Sequence, residues 1–153
     1  MRRKELEVTD RSHIKRILQS CPIVHLGYVD EGIPYVVPMN FGLEMDDTSC
    51  VFYFHSAKEG RKIDIMRKNP TVCVEASLYR PSQELTQLAH KVRYQSVIGT
   101  GTAQFVEDHE EKRKALAAMC RHRGRPDHKR SERLLDRVCV FKVTISEMAC
   151  KQH

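Results

Sequence analysis

Two neighbouring stretches of this sequence carry side chains whose types and spacing suit chemistry. Gly60-Arg61-Lys62 places a glycine and two adjacent cations where one periodicity ends and another begins. Glycine permits close backbone approach, a helix start offers free N–H groups and a positive dipole end, and the cations add fixed charge. Together these parts suit a phosphate. The same residues also make an ordinary solvated helix start, and spacing alone leaves both readings open. Just upstream, His55 stands at the exit of the preceding apolar run. Histidine changes charge nearest neutral pH, so His55 suits a proton donor at a reacting substrate. A strand-end histidine bonded to a loop carbonyl is the plainer alternative.

The elements that must position these residues follow from periodicity. Cys50, Phe52 and Phe54 alternate with Val51 and Tyr53, the pattern of a strand. After Gly60, residues Ile63, Met66 and Arg67 fall on one helical face until Asn69-Pro70 stops the helix. Earlier in the chain, Thr9 or Asp10 caps a helix whose apolar stripe is Ile14, Ile17, Leu18 and Cys21, and Pro22 ends it. Ile23–Asp30 and Ile33–Gly42 read as two strands joined by the Asp30-Glu31-Gly32 turn. Pro34 and Pro38 each remove a ladder donor, which marks the second of these as an edge or a bent strand. Met45–Ser49 reads as a polar turn and Thr71–Tyr79 as a strand. Arg80–Val92 is a long polar connection, with Leu85 and Leu88 spaced for a helical turn; its length is that of a lid or binding loop. Arg93–Val106 is the longest strand, bent at Gly99 and Gly101. Asp108 with Glu111 forms a capping box for a helix reaching His122, with Leu116, Met119 and Cys120 inward. A loop and short helix over Arg125–Arg137 lead to a sixth strand, Val138–Ile145. Six antiparallel strands with short helices fit a closed or split barrel.

At 153 residues the chain is expected to be one domain with a real core. Its net charge of +6 gathers largely in Arg61–Lys68 and Arg121–Arg137. Few aromatics interleave with these cations, which argues against a platform for single-stranded nucleic acid. No apolar run of about eighteen residues is present, so no membrane-spanning helix is expected. The basic N-terminal residues lack an apolar core, so no secretory signal is expected and the cytoplasm is the expected compartment. Six cysteines (Cys21, Cys50, Cys73, Cys120, Cys139, Cys150) form no CxxC. Cys50, Cys73 and Cys139 lie inside apolar runs, which suits reduced thiols packed as small hydrophobes. Cys120, His122 and His128 are the densest group of possible metal ligands but lack a regular ligand frame, so no metal is expected. Gly99-Thr100-Gly101 lies in a strand and lacks the third glycine of a dinucleotide fingerprint.

Five segments in order carry a resemblance: YVVPMNFG at Tyr35–Gly42, YFHSAKEGRK at Tyr53–Lys62, NPTVCVEA at Asn69–Ala76, YQSVIGTGTA at Tyr94–Ala103 and EEKRKALAAM at Glu110–Met119. The chain resembles the FMN-binding split β-barrel proteins, the pyridoxamine-phosphate-oxidase-like superfamily, and most fully their nitroimidazole-resistance (Nim)-like branch. The resemblance implies a mainly β fold, a six-stranded antiparallel split barrel of Greek-key type with a few short helices, over residues 1–153 as a single domain. It implies FMN in a cleft shared by two subunits of a homodimer. The phosphate is then held by Arg61 and Lys62, and the ring lies along Val37, Pro38, Met39 and Asn40. Tyr53, Phe54, Gln95 and Ser96 are the further cofactor-contacting positions, and His55 is the implied catalytic residue. The implied reaction is reduction of a nitroaromatic or similar electrophile with NADH or NADPH as donor. Pyridoxamine-phosphate oxidation is less favoured, because the match to that enzyme fades outside the FMN segment. Where Nim-like proteins commonly carry T-G-K near the end, this chain has Ala149-Cys150-Lys151. A non-catalytic flavin- or nucleic-acid-binding barrel and a haem-handling barrel are the alternatives, the last favoured only by the eight histidines.

Overall fold

The computed structural model describes residues 2–80, 93–127 and 131–153. Of the expected connection Arg80–Val92, Arg80 instead ends a strand, and residues 81–92, like His128 of the possible metal triplet, lie outside the described residues. A short 3-10 turn at Lys4–Leu6 precedes helix α1 (Arg11–Ser20). The Asp10 carboxylate accepts from the backbone N–H groups of Ser12 and His13, so Asp10 rather than Thr9 is the cap. The stripe read from the sequence is the buried one, with Ile14, Ile17, Leu18 and Cys21 all enclosed.

Among the described residues seven strands follow: β1 (Val24–Asp30), β2 (Ile33–Met39), β3 (Gly42–Met45), β4 (Cys50–Ser56), β5 (Thr71–Arg80), β6 (Arg93–Val106) and β7 (Cys139–Gln152). Helix α2 (Arg61–Lys68) lies between β4 and β5, and helices α3 (His109–His122) and α4 (Glu132–Arg137) lie between β6 and β7. All strands form one antiparallel sheet in the order β2-β1-β5-β6-β7-β4-β3. The count corrects the six expected, and the sheet has two free edges. Those edges, β2 and β3, are joined by Asn40-Phe41 alone, so the sheet must curl until its outer strands meet at one corner.

The extra strand arises because the run Ile33–Gly42 does not continue as one. Phe41 turns fully inward and packs on the His122 ring, 3.9 Å between centroids. A Cβ on Gly42 would lie 2.6 Å from the Met119 backbone nitrogen and 2.7 Å from the Ala118 carbonyl carbon. The chain therefore breaks at Asn40 and resumes with its backbone directly beneath α3. Pro34 and Pro38 occupy the edge strand β2, where a missing donor costs least. The last strand also outruns its expected end. Its ladder with β6 extends from Val140 opposite Val106 to Gln152 opposite Gln95, with a register shift at Thr100/Gly101. Ala149-Cys150-Lys151 is thus sheet, with Cys150 buried and its carbonyl accepting from the Val8 N–H.

Inside the curl, Phe41, Phe52, Phe54 and Phe141 are fully buried with Leu26 and Val143, and Phe54 stacks on Phe141 at 5.1 Å. A second, smaller core lies on the outer side of β4 and β7. There Tyr53 and Val140 meet Ala115, Leu116 and Met119 of α3 and Leu135 of α4. This layer decides where the functional residues on β4 point. Asp108 caps α3 by accepting from the Glu111 N–H, while the Glu111 side chain reaches Lys142 instead of closing the capping box. Cys73, expected as a packed residue, is exposed on the outward face of β5.

Candidate functional site

Helix α2 starts at Gly60, whose φ of 128° is open to glycine and strained for other residues. No side chain caps this end, and the Gly60 carbonyl accepts from the N–H groups of Ile63 and Asp64. Ile63, Ile65 and Met66 are buried and fix the helix against the core. Arg61 lies over the Tyr35 ring, 4.6 Å from its centroid, and its Nε donates to the Asp30 carboxylate at 3.1 Å. That contact uses one nitrogen and leaves both terminal guanidinium nitrogens for another acceptor. Lys68 lies 3.6 Å from Glu31, so α2 clasps the β1–β2 turn by two ion pairs. Lys62 is half-buried beside Arg61 in the first turn of α2, and its charge is also felt by the Cys139 thiol of β7. Behind Tyr35, the Tyr28 ring lies 6.1 Å away. Its buried hydroxyl has no hydrogen-bond partner among the described residues. Burial, and then the neighbouring Tyr35, push that phenol well above its usual range.

The other cofactor positions read from the sequence fall in separate places. On β2, Val37 and Met39 face inward against the core, whereas Pro38 is on the outward face and Asn40 is exposed at the corner. Phe54 is wholly enclosed, so its side chain supports β4 from within. Tyr53 is buried under α3 and donates from its hydroxyl to Glu44 at 3.1 Å. Burial first, and Glu44 second, raise the Tyr53 phenol. Glu44 also meets Lys114 at 2.8 Å and Arg121 at 3.8 Å, which pins α3 over β3. Gln95 and Ser96 open β6 opposite Gln152 and Lys151, and Gln95 Nε2 donates to Gln152 at 2.8 Å. Gln95 lines a small cavity of about 210 Å³ with Tyr94 and His153. Among the described residues no hydrogen bond or ion pair joins the Arg61 group to the Gln95 group.

At the β4 exit, His55 is exposed on the face opposite Phe52 and Phe54, in register with Val140. It opens into a mainly apolar cavity of about 350 Å³ lined by Leu116, Met119 and Arg123 of α3, Arg125 beyond it, and Leu134 of α4. Leu116 and Met119 read from the sequence as inward residues, not as a cavity wall. The available signal was their spacing with Arg123, which continues the same helical face. Of the possible metal triplet, His122 donates from Nε2 to the Cys21 carbonyl at 2.8 Å. No group of three metal-ligating side chains occurs among the described residues. No helix among them is long and apolar enough to cross a membrane.

A curled antiparallel sheet with short helices and a cationic helix start beside its edge hairpin defines the pyridoxamine-phosphate-oxidase-like architecture. The family model for pyridoxamine 5'-phosphate oxidase matches residues 10–152, and the chain belongs to that flavin-binding family. Among solved structures it is similar to a candidate 5-nitroimidazole antibiotic resistance protein from Bacteroides thetaiotaomicron. The two share 34% identity over 96% of this chain and 86% of that one, with a TM-score of 0.85. The flavocytochrome Anf3 of Azotobacter vinelandii shares the fold at 23% identity, over all of this chain and 72% of its own, with a TM-score of 0.74. A FAD-binding protein from Mesorhizobium loti does so at 21% identity, over 96% of both chains, with a TM-score of 0.67. No curated protein sequence matches the chain.

Proposed function

We propose that this protein is an FMN-dependent oxidoreductase that reduces a nitroaromatic or similar small electrophile, with NADH or NADPH as electron donor. The observation that carries the reading is His55, which opens into an apolar cavity on the strand that leads directly into the cationic start of α2. The family and the likeness to a nitroimidazole-resistance protein support it. The donor set fits a terminal phosphate: an uncapped helix start, Gly60 with nothing within 4 Å of a Cβ, and two terminal Arg61 nitrogens. FMN ends in such a phosphate, whereas the phosphates of FAD are bridged, and on that ground FMN is the preferred flavin. The orphaned Tyr28 hydroxyl is a further polar group near Tyr35 and Arg61 that a bound partner could satisfy.

When bound, the flavin supplies hydride chemistry in two-electron steps. The residues of this chain then bind, orient and protonate. Arg61 and Lys62 hold the phosphate. The edge strand at Val37–Asn40 borders the ring, with Pro38 unable to donate to a ladder. Leu116, Met119 and Leu134 would give the acceptor an apolar wall, and His55 would deliver a proton from its imidazole to the acceptor oxygen that gains negative charge as the acceptor is reduced.

We infer a homodimer from the outward face of the sheet. Val29 of β1, Val36 of β2 and Ile98 of β6 are each more than half exposed. Val36 and Val29 flank Gly27 on one face, a surface that a second copy would cover while walling the cleft. The test of the reading is His55→Gln. The variant should keep flavin and fold yet lose roughly a hundredfold or more in nitroaromatic reduction, with an altered pH profile between about pH 5.5 and 9. An unchanged rate and profile in the flavin-loaded variant would make His55 structural.

A further inference from the structure

A second cavity lies on the other side of Val138 from the His55 cavity, and its charges are not balanced. It has a volume of about 250 Å³ and is lined by Lys58, Arg67 of α2, Phe105 and Glu107 around the end of β6, Lys112 of α3, and the start of β7. Lys112 is the one buried charged residue among those described, 5% exposed. Its ammonium donates to the Leu135 carbonyl at 3.3 Å, and no carboxylate lies within ion-pair distance among the described residues. An ammonium has three donors, and a buried one without a counter-charge is costly.

The nearby acids are engaged elsewhere. Glu111 pairs with Lys142 at 2.5 Å, and Asp136 with the His109 ring at 2.9 Å. Glu107 is the one acid in the lining, against three cations, and it makes no ion pair among the described residues. Arg67 lies over the Phe105 ring, 5.9 Å from its centroid; its one ion pair among the described residues is a long, exposed contact of 3.6 Å with Asp64 of the same helix, which leaves guanidinium nitrogens for the cavity. The Cys139 thiol reports the same convergence: burial and then Glu107 push it up, while Arg67, Lys112 and Lys62 pull it down.

We propose that this cavity binds a phosphate-class dianion, with Lys112 as its buried anchor and Arg67 and Lys58 as its outer cations. The two sources of such a group are free phosphate and the phosphate of the flavin. The site stands on Lys112 and the cavity, apart from the helix start assigned to FMN above, and does not depend on that assignment.

The experiment uses the full-length protein with and without saturating FMN. Inorganic phosphate is titrated against a chloride control of equal ionic strength, with binding read by ³¹P NMR line broadening and by thermal shift. Phosphate should bind in both forms. Lys112→Met should weaken binding about tenfold or more, and Arg67→Gln, at a more exposed position, should weaken it less. If Lys112→Met fails to fold, Arg67→Gln and Lys58→Gln together still must weaken phosphate binding. Loss of phosphate binding on adding FMN would make the cavity the flavin's own phosphate seat and overturn a separate site. Binding that matches chloride, or that survives the substitutions, would also overturn it.

Discussion

Gly42→Ala tests the contact that splits the second predicted strand and seats α3. Gly42 has no left-handed backbone angle, so alanine can adopt its conformation. Taken alone, that change would stabilise by about 0.4–1 kcal/mol through the unfolded chain. The added Cβ, however, would sit 2.6 Å from the Met119 nitrogen, 2.7 Å from the Ala118 carbonyl carbon and 2.9 Å from the Ala118 Cβ. Two of these neighbours are backbone, so no rotamer change relieves them and α3 must lift. Overpacking of this kind costs roughly 1–3 kcal/mol, and here it should outweigh the entropy gain. A net loss of about 1–2 kcal/mol lowers Tm by about 2–8 °C for a domain of this size. Thermal unfolding followed by circular dichroism reads the effect. Since Met119 and Arg123 line the His55 cavity, turnover should fall as well. A Tm equal to or above the parent's would refute the close seating of α3 on β3.

Cys21, Cys50 and Cys150 are buried, and burial pushes each thiol from an ordinary 9.0 to about 11. Their folded pKa lies above the unfolded one, so the stability they contribute is complete below about pH 9 and is lost as pH rises towards 11. Urea unfolding should therefore show a plateau to about pH 8.5 and then a fall on the order of 2–3 kcal/mol for each thiol; a flat profile through pH 11 would contradict their enclosure. Cys73, exposed on β5, should react first with a thiol reagent at pH 8, ahead of those three. Val36→Lys should convert the dimer to monomer in sedimentation equilibrium, and a parent that sediments as a monomer at low micromolar concentration would remove the dimer proposal.

Much of this fold was legible because local rules agreed with the final packing. The α1 stripe, the β4 alternation, the limits of β6 and the Asp108 cap all follow from periodicity and capping chemistry that neighbours reinforce. The prolines of β2 correctly marked an edge. The miss at Asn40-Phe41 has a tertiary cause. The run through Gly42 looks strand-like residue by residue, and only the approach of α3, far along the chain, forces the break. The same distance explains the end of β7, whose polar alternation became sheet because β6 offered it a ladder. For the site, the Gly60 helix start and the outward-facing His55 were readable from spacing. The Asp30 and Tyr35 partners of Arg61 were not, since they come from a hairpin placed beside α2 by the sheet. Nor was the buried Lys112, which in sequence is one cation among many on a charged helix.

The central claim is that the start of α2 holds the phosphate of FMN, and titration of the purified protein with FMN tests it most directly. The protein should carry the absorption bands of oxidised flavin or take up added FMN with quenching of its fluorescence. Arg61 is half exposed, so a charged hydrogen bond there is worth about 1.5–3 kcal/mol. Arg61→Ala should therefore raise Kd about tenfold or more, and Arg61→Ala/Lys62→Ala should raise it further while leaving the circular dichroism spectrum intact. Riboflavin, which lacks the phosphate, should bind parent and variants alike. A protein that neither contains nor binds FMN, or a double variant that binds it as tightly as the parent, would contradict the account.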